Sequence, residues 1–210
     1  PPTPSVAWVA ALWQVAANQN LLHPDAAPVA REVERRLVDW IAPFFHMDGG
    51  HLVPGSTIAN FTAIWAAREL RGVRRVIASD RAHLSARKAA DILGLSYQPV
   101  ASCVDHRMVV GDYSSLGDLG DAVVVLTAGT VATGAIDELT VDGAGWVHVD
   151  AAWGGPLRFS RRHSGLLDGL QNADSVGFSA HKWCYQQKGT AVILFNDTNA
   201  AHQIMSYGGG

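Results

Sequence analysis

The strongest constraint on the fold is a series of short apolar segments, rich in β-branched residues, that alternate with helical patterns. These segments cover residues 76–78, 97–100, 123–126, 146–149, 175–178 and 191–195. Segments this short and this continuously apolar are typical of strands that are buried on both faces of a sheet. Their alternation with helices predicts an α/β domain with a mostly parallel sheet and helices on both faces.

Three helices are predicted from spacing and end signals. Residues 28–45 carry apolar side chains three and four residues apart among charged ones, which is the pattern of an amphipathic helix. A second helix is expected to begin at Ser56 or Thr57, which are good caps, and to end at Gly72. A third covers residues 84–93. Residues 105–121, rich in Gly, Ser and Asp, are expected to form a loop with a short helix.

A lysine and an aspartate each follow a predicted strand, at the carboxyl edge where open α/β sheets bind ligands. Asp150 ends the strand 146–149 and precedes two alanines, whose small side chains let a planar ring approach. Lys182 lies just beyond the strand 175–178. Pyridoxal phosphate (PLP) requires a lysine that can form a Schiff base and a carboxylate that can pair with a pyridinium nitrogen. The two positions therefore predict a PLP site.

Ordinary structural roles compete with this interpretation. Most lysines are solvated surface residues, and an aspartate at a strand end often caps a turn. The chain has two other lysines, and we expect Lys88 on a surface helix and Lys188 in a polar turn. A nucleophilic lysine needs burial or nearby cations that lower its pKa. Lys182, at the sheet edge, is the candidate that fits this requirement.

Five short motifs extend the interpretation because of their order along the chain. They are residues 55–60, 79–85, 129–137, 148–152 and 173–182. In this order they resemble the group II PLP-dependent decarboxylases, which include glutamate, aromatic amino acid and cysteine sulfinate decarboxylases. The resemblance runs from about Asn18 to the end of the chain. Each motif alone is too short to identify a family.

The resemblance implies a fold and a domain organisation. The fold is the large PLP-binding domain of the aspartate aminotransferase fold (type I), with a seven-stranded, mostly parallel sheet in which the strand 191–195 runs antiparallel. The short connection 182–190 also fits a reversal better than a helical crossover. Since the chain begins at Pro1 rather than Met and ends at Gly210, residues 1–210 are expected to be a fragment. The expected missing parts are an N-terminal arm and a C-terminal small domain.

The resemblance also assigns roles to individual side chains. It makes Lys182, Asp150 and His83 the catalytic residues, with the His83 imidazole stacked on the cofactor ring, and it places the Ala152 methyl group against that ring. An isolated histidine at a helix start is otherwise a cap or a partly exposed polar residue.

Further side chains are implied near the cofactor phosphate and ring substituents. Ser56 and Thr57 would offer hydroxyls and backbone N–H groups at the positive end of a helix. Ser179 and His181 match polar positions near the phosphate, and Thr130 matches a threonine near the ring. The family commonly has an acidic residue where Ile58 stands, so we expect the polar contacts of that position to be lost here.

The resemblance implies a PLP-dependent lyase that decarboxylates an L-amino acid held through Lys182. Residues 182–189 also resemble a stretch of sphingosine-1-phosphate lyase, which keeps C–C lyase chemistry as an alternative. A non-catalytic PLP-fold assembly subunit is a third interpretation. Family sites form at homodimer interfaces, so we expect a homodimer or association with the rest of the polypeptide, and little activity from the chain alone.

Composition excludes several other classes of function. With a net charge of −3 and no basic run, the chain lacks the electrostatic signature of a nucleic-acid-binding protein. No apolar stretch is long enough to cross a membrane. Cys103 and Cys184 lack metal-ligand spacing and predict two buried free thiols in a reducing cytoplasm.

A metal site is the remaining alternative at the predicted sheet edge. His148 and Asp150 point to one face of their strand and could join His181 around a metal ion. That arrangement leaves Lys182 without a role. We therefore expect no metal.

Overall fold

A computed structural model of the chain describes residues 2–19, 21, 25–108 and 116–206. Within these residues the helices are α1 Ser5–Ala17, α2 Pro28–Ile41, α3 Ser56–Arg71, α4 Leu84–Leu93, α5 Ala180–Trp183 and α6 Thr198–Met205. The strands are β1 Gly49–Val53, β2 Arg75–Ser79, β3 Ser96–Val100, β4 Ala122–Thr127, β5 Trp146–Asp150, β6 Ser175–Ser179 and β7 Ala191–Phe195. The six strands and three helices predicted from the sequence are all present.

The seven strands form one sheet in the order β1-β7-β6-β5-β4-β2-β3. Strands β2 to β6 pair with one another in parallel. Strand β7 runs antiparallel to both β6 and β1. The predicted α/β class and the reversal at residues 191–195 are confirmed. Because β4, β5 and β6 are parallel neighbours, their carboxyl ends meet at one edge of the sheet.

Two separate apolar cores cover the faces of the sheet, and successive residues of each strand alternate between them. Val123 and Val125 pack into the core beneath α3, α4 and α6, whereas Val124 and Leu126 face the opposite side. That opposite core is closed by the end of α2 and by 3-10 turns, including Ala42–Phe45 and Leu170–Asn172. One face thus carries α-helices, and the other carries mainly short 3-10 turns.

Some elements differ from the sequence expectations. Helix α2 ends at Ile41 and continues as a 3-10 turn, since Pro43 cannot donate the next backbone hydrogen bond. Strand β1 was not predicted because two of its five residues are glycines. A Cβ atom on Gly50 would lie 1.9 Å from the Ile193 carbonyl oxygen of β7, so glycine is required there. In the predicted loop 105–121, residues 109–115 lie outside the described residues, and Leu119–Asp121 is a 3-10 turn.

Candidate active site

The carboxyl ends of β4, β5 and β6 and the starts of α3 and α4 surround a cavity of about 190 Å³. Five residues predicted from the sequence line it: Ser56, His83, Asp150, Ala152 and Lys182. Four further lining residues were not predicted: Thr127, Gly129, Val131 and Trp153. The sheet topology therefore brings together side chains from separate strand ends and helix starts in one concave site.

Lys182 lies in α5, the single helical turn that directly follows β6. Its side chain is half-buried, and its Nζ lies 5.9 Å from the centre of the Trp153 ring. Burial lowers the pKa of the Lys182 amine, and the negative charge of Asp150 partly opposes that shift. Lys88 and Lys188 are both exposed and lie outside the cavity. Of the three lysines, all within the described residues, only Lys182 lines the site.

Asp150 ends β5 and is 5% exposed. Each of its carboxylate oxygens accepts a hydrogen bond: Oδ2 from Asn60 Nδ2 at 2.7 Å and Oδ1 from the Ala152 backbone N–H at 3.0 Å. These two donors come from α3 and from the turn after β5. They fix the plane of the carboxylate at the wall of the cavity.

His83 is the N-cap of α4 and also lines the cavity. Its Nδ1 accepts a hydrogen bond from the Ser85 backbone N–H at 3.2 Å and lies 2.8 Å from the Ser85 hydroxyl oxygen. Because Nδ1 is an acceptor, Nε2 carries the ring proton. Capping and cavity lining are therefore compatible for this histidine.

Ser56 begins α3, but the expectation that Ser56 or Thr57 caps this helix was wrong. The N-cap is Gly55, whose φ of 104° lies outside the range that other residues adopt easily, and no side chain of the described residues caps the helix. The Ser56 hydroxyl instead forms a hydrogen bond with the hydroxyl of Ser179, which is buried at the end of β6. Ser56 and Ser179 thus link the helix start to the strand that precedes Lys182.

The other predicted site residues do not line the cavity. Thr57 is exposed at the start of α3. Thr130 is buried, and its hydroxyl bonds to Thr133 and accepts the Ala135 N–H. His181 donates from Nδ1 to the Thr190 carbonyl at 3.2 Å. These residues, like Ser179, adjoin the lining residues rather than facing the cavity.

Thr127 is the most informative residue that sequence reasoning missed. It is 4% exposed, and its Oγ1 has no hydrogen-bond partner among the residues that the structure describes. In the parallel register it lies directly opposite Asp150. Thr127 lies at the end of an apolar strand, which is the same sequence signal that identified Asp150. That signal could have identified Thr127 as well.

Trp153 forms one wall of the cavity and contacts the ring of Trp183 edge to face, with ring centres 5.4 Å apart. Gly129 lies next to it with a φ of 102°, and a Cβ atom there would sit 3.0 Å from Trp153 Cδ1. A larger residue at position 129 would therefore displace the indole.

His148 does not face the cavity, and hydrogen bonds occupy both of its ring nitrogens. Nε2 lies 3.0 Å from Asn60 Oδ1, and Nδ1 lies 2.9 Å from Ser175 Oγ. Complete burial lowers the pKa of His148 to about 4, so its ring is neutral at physiological pH. The described residues contain no group of three or more His, Cys, Asp and Glu side chains able to hold a metal ion.

The remaining sequence expectations concern the cysteines and membranes. Cys103 and Cys184 are both free, but each is partly exposed rather than buried. Within the described parts of the chain, no helix has both the length and the apolar character needed to cross a bilayer.

Comparison with known proteins gives a family match along most of the chain. Residues 3–207 match the profile of the pyridoxal-dependent decarboxylase conserved domain. An L-2,4-diaminobutyrate decarboxylase from Rhizobium meliloti is 36% identical over 205 residues, which cover 87% of this chain and 41% of that protein. The chain spans less than half the length of the first curated relatives it matches, between 41% and 49%.

Solved structures give the same fold. The glutamate decarboxylase domain of a diaminobutyrate-pyruvate transaminase and L-2,4-diaminobutyrate decarboxylase from Vibrio parahaemolyticus superposes with a TM-score of 0.88 at 26% identity, covering 98% of this chain and 52% of that one. A sphingosine-1-phosphate lyase from Burkholderia pseudomallei gives 0.81 at 21% identity, covering 94% and 52%. The second likeness is one of fold alone.

Proposed function

We propose a decarboxylase function for this chain, which belongs to the pyridoxal-dependent decarboxylase family. The chain would form the PLP-binding large domain of a lyase that removes CO2 from an L-amino acid. The observation that supports this most strongly is the pairing of a half-buried lysine with a buried carboxylate in one cavity, at the carboxyl edge of the sheet.

The residues of the cavity fit PLP chemically. Thr127 lines the cavity and carries a buried hydroxyl with no partner among the described residues, and such atoms normally find a partner. The lining supplies an amine for an aldehyde, a carboxylate for a ring nitrogen, and an imidazole for a ring face. The Ala152 side chain is small enough to lie against a planar ring.

The start of α3 is the proposed phosphate end of the site. The positive end of the helix favours an anion, and Ser56 at this end lines the cavity. Ser179, bonded to Ser56, would hold that hydroxyl in place. Thr57 and His181 adjoin this end, and Thr130 adjoins the ring end near Gly129.

The chemistry that PLP supplies when bound is withdrawal of the electron pair that departing CO2 leaves on the substrate Cα. Lys182 contributes an amine whose lowered pKa raises the fraction of free base able to attack an aldehyde carbon. Asp150 would hold the proton on the ring nitrogen. Its two hydrogen bonds keep the carboxylate fixed for that task.

His83 and Trp153 would complete the enclosure. The His83 imidazole, fixed through Nδ1 by Ser85, would stack on one ring face and leave the other face to Lys182 and the substrate. The Trp153 indole beside Lys182 would exclude water from the reacting atoms.

The products of the full-length protein test the proposal. Release of CO2 and an amine from an L-amino acid is the expected result. Release of an aldehyde from a phosphorylated amino alcohol, without CO2, would establish C–C lyase chemistry instead. A preparation that carries PLP but forms neither product would indicate a non-catalytic assembly subunit.

We also propose a homodimer, or association with the remainder of the polypeptide, in a cytoplasmic setting where the two free thiols stay reduced. Helix α1 buries only Ala7 and exposes most of its large apolar side chains, including Trp8, Leu12 and Trp13. With α2 it lines a groove of about 970 Å³. Exposed apolar surface of this kind marks an interface.

Sedimentation analysis of two variants tests whether this surface holds the assembly together. Trp13→Lys should dissociate the assembly, whereas Glu32→Gln, a control on the polar face of α2, should not.

A further inference from the structure

A buried polar network behind the cavity joins the two side chains proposed to face the cofactor ring. Its centre is Asn60, a fully buried residue one turn into α3. Asn60 contacts Asp150 on β5, Ser85 on α4 and His148 on β5. A buried amide with several polar partners costs stability unless every hydrogen bond has the correct direction.

The orientation of the Asn60 amide follows from its partners. Nδ2 carries two hydrogens, one donated to Asp150 Oδ2 at 2.7 Å and the other to Ser85 Oγ at 2.8 Å. Oδ1 must then accept, and its partner is His148 Nε2 at 3.0 Å. In the flipped amide the carbonyl oxygen would face the Asp150 carboxylate, and two acceptors would repel each other.

The direction of every other bond in the network follows. The Trp146 indole, which can only donate, gives its N–H to Ser175 Oγ at 2.9 Å. Ser175 is then free to donate its hydroxyl hydrogen to His148 Nδ1 at 2.9 Å, which leaves the His148 proton on Nε2 for Asn60. On the other side, Ser85 accepts from Asn60 and donates to His83 Nδ1.

We propose that Asn60 is a positioning residue that holds the Asp150 carboxylate and the His83 imidazole as one unit, with its own orientation set by His148. The inference rests on the proposed function, because these two groups matter together only if they face the same cofactor ring. One amide thereby couples the group proposed for the ring nitrogen with the group proposed for the ring face. The network crosses α3, α4 and β5, so it also sets the spacing of those elements at the site.

Two amide substitutions at His148 separate this role from simple packing. The side-chain nitrogen of His148→Gln can reach the position of Nε2 and still donate to Asn60. The amide of His148→Asn reaches only the position of Nδ1, which keeps Ser175 but leaves Asn60 Oδ1 unpaired. Both variants leave the ring volume partly empty and carry the same functional group, so they are matched controls for each other.

The measurements are the dissociation constant of PLP and the visible circular dichroism of bound PLP in the full-length protein. His148→Gln should stay within about threefold of wild type, and His148→Asn should bind PLP about tenfold more weakly, as expected for a lost buried hydrogen bond. The dichroism per bound PLP should fall in His148→Asn, because the ring is less firmly oriented. Equal values for the two variants would overturn the inference.

Asn60→Asp provides a second, isosteric test. It replaces the donor to Asp150 with a second carboxylate. The affinity for PLP should therefore fall at least tenfold below that of His148→Asn. Wild-type affinity in Asn60→Asp would also overturn the inference. If no His148 variant folds, Ser85→Ala removes the hydroxyl that joins Asn60 to His83 but keeps the Asn60 bond to Asp150, so it should lower the dichroism; an unchanged signal would contradict the network.

Failure of the inference differs from failure of the proposed function. Wild-type protein that acquires no PLP on Lys182 would contradict the proposed function itself. Wild-type protein that binds PLP while the His148 pair behaves identically would contradict only the role of Asn60.

Discussion

Protonation of His148 should make the fold sensitive to acid. Its folded pKa of about 4 lies below the ordinary value of 6.5 because burial disfavours the charged ring. Above about pH 6.5 neither the folded nor the unfolded state is protonated there, and the shift has no effect. As the pH falls towards 4, the unfolded state binds the proton first, so the folded state loses stability.

The size of the loss follows from the same two values. A difference of about 2.5 pKa units corresponds to a loss on the order of 3 kcal/mol by about pH 4. Domains of this kind are stable by about 5–15 kcal/mol, so the effect is a large fraction of the total.

Urea unfolding of wild type and His148→Gln at about pH 7 and about pH 4.5 measures this loss. His51, whose pKa is also lowered to about 4 by burial, contributes a loss of the same sign in both proteins. It therefore cancels in the comparison. The variant should lose less stability on acidification than wild type does. Equal losses would refute the argument that His148 is buried as a neutral ring.

Two further substitutions act on the cavity itself. Asp150→Asn should retain bound PLP but lower turnover of the full-length enzyme by about 10²–10³-fold, the usual cost of losing a fixed charge at a reacting centre; near-normal turnover would exclude the proposed role of Asp150. Thr127→Val should raise the unfolding free energy of PLP-free protein by about 1 kcal/mol, since it removes an unpaired buried hydroxyl, and should weaken PLP binding several-fold. Calorimetry measures both Thr127→Val effects, and a loss of stability without PLP would contradict the argument.

The sequence predicted the parts of the fold that depend on local pattern. Strands buried on both faces, such as β4, read as uninterrupted apolar runs, and α3 and α4 end at glycines that adopt a left-handed conformation. Strand β1 could not be predicted from local sequence pattern. Its glycines are disfavoured in strands, and the close approach of β7, which explains Gly50, is visible only in the folded sheet.

The site was predictable where it depends on strand ends. Lys182 and Asp150 were located because each follows an apolar strand, and the parallel topology then brings them together. Thr130 and His181 are next to lining residues in sequence, but the Thr130 hydroxyl and the His181 Nδ1 are used by local hydrogen bonds. The role of Asn60 depends on three elements meeting in space, so no short-range pattern contains it.

Borohydride reduction of the PLP-loaded full-length protein, followed by peptide mass mapping, tests the central claim most directly. Reduction fixes a pyridoxyl group to the lysine that holds the cofactor. Lys182 is half-buried in the cavity and has a lowered pKa, whereas Lys88 and Lys188 are exposed elsewhere. The expected result is a pyridoxyl group on Lys182, absent from Lys182→Arg. Label on Lys88 or Lys188 in place of Lys182 would contradict the assignment of this cavity as the cofactor site.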